Sequence, residues 1–262
     1  MYLFDEDMLV SPQTPTLFAA VVSGNWSING IPNGGYLMAL LTHAMLQKAD
    51  KKSTPIVTGN FFSRCTPGEA SVSVEKIAGS NQFERFQARL FQEGKERIRA
   101  IGTFAQEKLE CFLRKYEAVP PDIAPVNECI QVPELPAYSL MSQVDIRLDP
   151  RCAGWMSGNL SEKSQQMGWI AFKDGRPFDA LSILLAADAF PPAVMASQGF
   201  LSWVPTIEFS VNLREPPSPG WLRCVFRSRF ITCGMLEEDG EVWDEAGELV
   251  AISRQIAQFR KA

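Results

Sequence analysis

Histidine is almost missing: the chain of 262 residues holds one, His43. A metal centre built from several imidazoles is therefore excluded, and a Ser-His-Asp triad would have to rest on that one ring in a chain with no GxSxG. Long apolar runs are missing too. None approaches the ~18 residues that a membrane-spanning helix needs, so stable membrane insertion is not expected. "MYLFDEDMLV" begins with acids where a secretory signal would be basic, and the expected location is cytoplasmic. Positive charge is scarce, with 25 Lys and Arg against 30 Asp and Glu, which excludes the clustered basic surface of a nucleic-acid binder. Six cysteines, at 65, 111, 129, 152, 224 and 233, form no CxxC pair. Reduced, mostly buried thiols are expected, with no metal and no cofactor.

What is present is an ordinary globular balance, 46% hydrophobic and 21% charged, with enough chain for one large domain or two smaller ones. A Pro-rich stretch containing "AVPPDIAPVNECIQVPELPAY" lacks apolar periodicity and reads as a linker over residues 107–140, between a first domain at 1–106 and a second at 141–262. The same order of elements stands on either side. The first half offers "TLFAAVVSGNW", an apolar helix over about 34–47, then "IVTGNFF", "ASVSVEKI", "FERFQARLF" and "RIRAIGTFAQ" as alternating strands. In the second half come "QVDIRL", "GWIAF", an apolar helix over about 178–190, then "TIEFSVNL", "LRCVFRSRF", "MLEEDGEVWD" and "LVAISRQIAQF".

Counting supports a repeat. Asn60 and Asn212, Pro67 and Pro219, Gly68 and Gly220, Ala105 and Ala257, and Gln106 and Gln258 are each 152 positions apart, while Leu40 and Leu41 match Leu184 and Leu185 at 144. Both helices are apolar on nearly every side, so protein must surround them. In the strand after the second helix, Ile207, Phe209, Val211 and Leu213 are expected on one face and Thr206, Glu208, Ser210 and Asn212 on the other. The expected fold is α+β: two tandem hotdog repeats, each a central helix wrapped by an antiparallel sheet, together a double hotdog.

One residue in "SILLAADAFPPAV" is out of keeping. Asp188 follows Leu181, Leu184 and Leu185 along one helical stripe and precedes Pro191 and Pro192, so it faces the negative end of the helix dipole in apolar surroundings. Burial and dipole both disfavour its charge and raise its pKa, as a base working near neutrality requires. The plainer alternative is a residue that merely terminates the helix.

The segments "GNWSINGIPNGGYLMALL", "GNFFSRCTPGE", "DALSILLAADAFPPAV", "WVPTIEFSVNLREPPSPGW" and "VWDEAGELVAISRQ" resemble the thioesterase-like double-hotdog proteins related to acyl-CoA thioesterase II, over nearly the whole chain. The resemblance implies hydrolysis of fatty acyl-CoA to free fatty acid and coenzyme A, with acyl-CoA as the partner molecule. It also implies that Asp188, Thr206 and Gln255 jointly hold the hydrolytic water. The family's glycine-rich helix start falls on "NGG", with Asn33 where a His often leads. Gly34, Gly35 and Tyr36 are then expected at the substrate, the backbone N–H groups around Gly35 and Tyr36 holding the oxyanion. At the two offsets Asp188 matches Ala44 and Gln255 matches Thr103, so one active site per chain is expected. A homodimer or homotetramer is implied by resemblance alone.

Other readings stay open. Thr206 and Gln255 are also ordinary strand residues, and the two glycines also suit a tight turn. His43 reads as a core or interface histidine; Arg223, Arg227 and Arg229 share a strand face that suits coenzyme A phosphates or plain solvent. The 17 Phe and 9 Met suit an acyl tunnel or an ordinary core. As alternatives to a thioesterase stand a non-catalytic acyl-CoA-binding hotdog protein and an enoyl-CoA hydratase or dehydratase, the latter lacking a nearby Asp and His pair.

Overall fold

Helix α1 (Gly34–Leu46) forms where the apolar run predicts it, and Asn33 caps it by accepting from the Tyr36 N–H at 2.9 Å. Its residues from Gly35 to Thr42 are all buried, as an all-round apolar helix requires. Helix α2 (Ala180–Ala186) is shorter than the expected 178–190. Asp179 sets its start through a capping box with Ser182. At its end the Asp188 N–H turns back to the Leu185 carbonyl at 3.0 Å, a tightened last turn, and the two prolines that follow supply no N–H to continue it. Asp188 therefore lies just past the helix, not within it. The computed structural model describes residues 1–106, 113–200 and 202–261.

Eleven main strands accompany these helices: β1 (Leu17–Val22), β2 (Ser53–Phe61), β3 (Gly68–Gly79), β4 (Phe83–Gln92), β5 (Lys95–Ala105), β6 (Val144–Leu148), β7 (Ser164–Phe172), β8 (Thr206–Leu213), β9 (Leu222–Ser228), β10 (Met235–Asp244) and β11 (Leu249–Gln258). They belong to one 14-stranded sheet in the order β1-β3-β4-β5-β2-β8-β11-β10-β9-β7-β6, with short strands Val10–Pro12 and Ile130–Gln131 at the two edges. From the middle outward the first half reads β2, β5, β4, β3, β1. The second reads β8, β11, β10, β9, β7. In each half the helix stands between the outer strand of this series and its central one.

The register makes this correspondence residue-specific. Thr58 of β2 lies directly opposite Ser210 of β8, 152 positions on, and their hydroxyls hydrogen-bond at 2.9 Å. Neighbouring pairs Asn60 with Glu208 and Ile56 with Asn212 are exchanged by the same offset, so the local twofold passes between Thr58 and Ser210. Going outward, Val57 with Gly102 answers Phe209 with Gln255, and Phe86 with Gly102 answers Glu238 with Gln255. Gly102, one residue before the Thr103 expected from the constant offset, thus stands where the second half has Gln255.

The two helices meet inside the sheet. A Cβ on Gly35 would lie 2.2 Å from the Leu184 carbonyl oxygen, so only glycine permits this approach. Residues of both halves share one continuous hydrophobic core. The N-terminus of α2 is closed off: the buried Arg176 donates to Asp5, Asp179, Ser182 and the Pro177 carbonyl and lies over the rings of Phe4 and Phe172. The Pro-rich stretch before β6 is bonded to the second half, with Ile123 and Cys129 buried against Trp169, whose Nε1 donates to the Ala124 carbonyl at 2.9 Å.

Among the described residues, Cys65, Cys129, Cys152 and Cys224 are buried free thiols and Cys233 is an exposed one, while Cys111 lies outside the described residues. No described helix is long and apolar enough to cross a membrane, and no described cluster could hold a metal ion.

Candidate active site

Where α1 begins and α2 ends, an apolar cavity of about 910 Å³ opens, and Asp188, Thr206, Gln255 and Gly34 all line it. Its wall is built by Phe61, Tyr138, Met141, Trp155, Phe190 and Phe226, among others. The polar groups converge at one place on this apolar surface, an arrangement typical of small-molecule sites.

Asp188 is the hub. Its Oδ2 accepts from the Gly35 N–H at 2.9 Å and from Asn33 Nδ2 at 2.9 Å, and its Oδ1 accepts from Gln255 Nε2 at 3.2 Å. Asn33 Nδ2 also donates to the Asp188 carbonyl at 2.7 Å. Burial pushes the Asp188 carboxyl up to about 6, against the hydrogen bonds from Gly35, Gly34, Gln255 and Asn33, which favour its ionised form. The carboxyl thus sits between two opposing demands: an apolar wall that wants it neutral and a helix N-terminus that wants it charged. Among the described residues no cation pairs with it.

Thr206 reaches this group through an irregularity that periodicity does not reveal. β8 pairs with β11 as Thr206 with Ala257, then Glu208 with Ile256, so Ile207 is a bulge. The extra residue turns Thr206 onto the face of Phe209, opposite to the expected alternation, and its Oγ1 accepts from Gln255 Nε2. Without the bulge the hydroxyl would point away from the cavity.

The expected oxyanion donors are otherwise engaged. The Gly35 N–H is held by Asp188 and the Tyr36 N–H by Asn33 Oδ1. The Tyr36 side chain is wholly buried away from the site, its hydroxyl accepting from the Ser23 N–H at 2.9 Å and donating to the Asp7 carbonyl.

Two functional candidates escape sequence reading. Asn33, seen there only as the residue in place of a histidine, is both helix cap and second donor to Asp188. Glu238 lines the same cavity from β10, directly opposite Gln255 across the sheet. Its signal was available: Leu236, Glu238, Gly240 and Val242 share the inward face of the strand, and an acid among them is anomalous. Burial raises its carboxyl to about 7, with the Ala193 N–H lowering it and the charges of Asp188 and Glu237 raising it.

Other candidates lie elsewhere. His43 is half-buried on α1, within 3.1 Å of Gln47 Nε2, and lines no part of the cavity. Arg223 lies over the Trp169 ring, Arg227 pairs with Glu241, and Arg229 pairs with Asp239; none lines the cavity.

Comparison with known proteins agrees with this architecture. A family model for the acyl-CoA thioesterase N-terminal domain matches residues 22–105, and one for the acyl-CoA thioesterase C-terminal domain matches residues 120–259. A protein of Thermobifida fusca, provisionally named a thioesterase II, has a solved structure similar to this one at a TM-score of 0.91, with 26% identity over 100% of this chain and 98% of that one. A hotdog-fold protein of unknown function from Alicyclobacillus acidocaldarius aligns at a TM-score of 0.90 and 19% identity, covering 100% of this chain and 99% of that one. An acyl-CoA thioesterase II of Mycobacterium marinum aligns at 0.78 and 16%, covering 99% of this chain and 98% of that one. The fold is a hotdog. By sequence, an uncharacterized protein of Mycobacterium tuberculosis is 35% identical over 79 residues, 30% of this chain, and the chain spans 27% of that relative's length.

Proposed function

Because this chain belongs to the acyl-CoA thioesterase family, we propose that it hydrolyses fatty acyl-CoA to free fatty acid and coenzyme A at the Asp188 site. The observation that carries this reading is a carboxyl hydrogen-bonded to a carboxamide and to a helix N-terminus on the wall of an apolar cavity, where burial pushes it up to about 6. We take the chain as tandem hotdogs, at 1–106 and 141–262 with 107–140 between them, and the site as composite: the first half contributes Asn33, Gly34 and Gly35, the second Asp188, Thr206 and Gln255.

In this mechanism water sits between Asp188 Oδ1 and Thr206 Oγ1, oriented by Gln255, and gives its proton to Asp188 as its oxygen attacks the thioester carbon. The carbonyl oxygen lies against the start of α1. Glycine at 34 and 35 lets substrate approach the backbone there. As Asp188 is protonated its hold on the Gly35 N–H weakens, and that donor becomes free for the oxyanion at the moment negative charge moves from carboxylate to carbonyl oxygen.

A hydratase reading has no comparable support, since the sole histidine lies outside the cavity. The test is thiol release from a panel of acyl-CoA esters of graded chain length, repeated with Asp188→Asn. Turnover by the native chain with loss in the variant supports the reading; undiminished turnover in the variant overturns it.

A further inference from the structure

A second carboxyl in this cavity is not used by the mechanism above. Glu238 stands on the inner face of β10, cross-strand from Gln255, which itself donates to Asp188. The corresponding position in the first half holds Phe86, buried and edge-on to Phe104. An acid in that place costs stability, so its presence in one half only calls for a role.

Three observations define what the group can do. Its Oε2 is fixed by the Ala193 N–H at 2.6 Å, in the turn that follows Pro191 and Pro192, so the carboxyl is held in one orientation. Its Oε1 has no hydrogen-bond partner among the described residues, and no described cation pairs with either oxygen. Glu238 and Asp188 line the same cavity, Gln255 facing the one across the strands and donating to the other, and the charge of Asp188 disfavours that of Glu238. Two such carboxyls do not ionise together readily, and Asp188, whose oxygens accept three hydrogen bonds against the single one to Glu238, is the better stabilised as the anion, so the proton stays on Glu238.

Resting on the thioesterase reading above, we propose that Glu238 is the acid of this site, donating its proton to the departing thiolate while Asp188 acts as the base. The water oxygen bonds to the carbonyl carbon and its proton passes to Asp188. The carbon–sulfur bond then breaks with its electron pair staying on sulfur, and the Glu238 proton goes to that sulfur, giving the thiol and the carboxylic acid. The proton on Asp188 passes back to Glu238 through solvent in the cavity. The pair thus resembles the divided roles of two carboxyls whose surroundings set their pKa values apart.

The leaving group tests this. Glu238→Gln keeps the acceptor for the Ala193 N–H, so the turn is preserved. On acyl-CoA, whose alkyl thiolate needs a proton, the variant should lose about 10²-fold in kcat, the size of a general-acid contribution. On the same acyl group esterified to 4-nitrothiophenol, whose thiolate leaves unprotonated, it should lose less than about threefold, within ordinary context effects. The alkaline limb of the acyl-CoA pH profile should vanish with it. Equal losses on both esters, no loss on either, or a loss that follows the acyl chain would overturn the assignment. Failure of the underlying reading looks different: the native chain itself would show no Asp188-dependent thiol release from either ester.

Discussion

The Gly35 N–H, at the first turn of α1, donates to the carboxylate of Asp188, 153 residues away at the end of α2, at 2.9 Å. This bond fixes the catalytic candidate across the seam between the halves. It depends on the helices' close approach, because a Cβ on Gly35 would lie 2.2 Å from the Leu184 carbonyl oxygen and 2.9 Å from Asp188 Cβ. Neither neighbour is a flexible side-chain end. Gly35→Ala is therefore expected to push the helices apart, costing about 1–3 kcal/mol by overpacking and most of the thiol-release activity, read by denaturant unfolding and by assay of the folded variant.

The pKa of Asp188 has a consequence for stability as well as for turnover. In the unfolded chain the group ionises near 3.8, whereas in the fold it does so near 6. Below the lower value both states are protonated and the fold keeps its full stability. Between these values the unfolded chain releases its proton while the buried group keeps it, so about 3 kcal/mol is lost by the time pH reaches about 6, and the loss then levels off. Asp188→Asn should make that slope shallower in unfolding measurements taken between pH 4 and 7, leaving the part that Glu238 contributes between about 4.5 and 7, and should abolish turnover. A slope unchanged in the variant would show that this carboxyl does not carry it. In the native chain, kcat/KM should rise through about pH 6, where the base loses its proton, and fall through about pH 7, where Glu238 loses its own.

Thr206 separates hydroxyl chemistry from strand packing. Thr206→Val keeps the branched shape but removes the oxygen that meets Gln255, and it should lower kcat by about 10- to 100-fold with little change in KM. Thr206→Ser should restore most of the rate. If valine and serine behave alike in steady-state assays, the hydroxyl does not orient water.

Arg176 tests stability without touching the site. It is only 7% exposed and joins Asp5 of the N-terminal segment to Asp179 at the start of α2. Arg176→Ala leaves those carboxylates without their cation and empties the space over Phe4 and Phe172; a loss of about 3 kcal/mol in chemical denaturation is expected. Below the unfolding transition kcat should stay within about twofold, since substitutions distant from the site act nearly independently of it.

Much of the architecture was legible in residue order because it follows from local patterns. The mostly apolar run over about 34–47 demanded a buried helix, the two-residue alternation marked the strands, and the 152-residue spacing read from pairs such as Asn60 and Asn212 is also the spacing of Thr58 and Ser210, which face each other. Asp188 was conspicuous because a carboxyl in apolar company is costly wherever the chain goes. Tertiary structure decided what those patterns leave free. The bulge at Ile207 reverses the face on which Thr206 lies, and a bulge is a matter of register between strands distant in sequence. Gly35 and Asn33 turn toward Asp188 only because the two helices pack end against start. Glu238 gains its environment from a cavity that exists only when β10, β11 and the Pro191–Pro192 turn close together. Hydrophobic periodicity specifies which surfaces must be buried; which polar atoms then meet is set by contacts between segments that no short window of sequence contains.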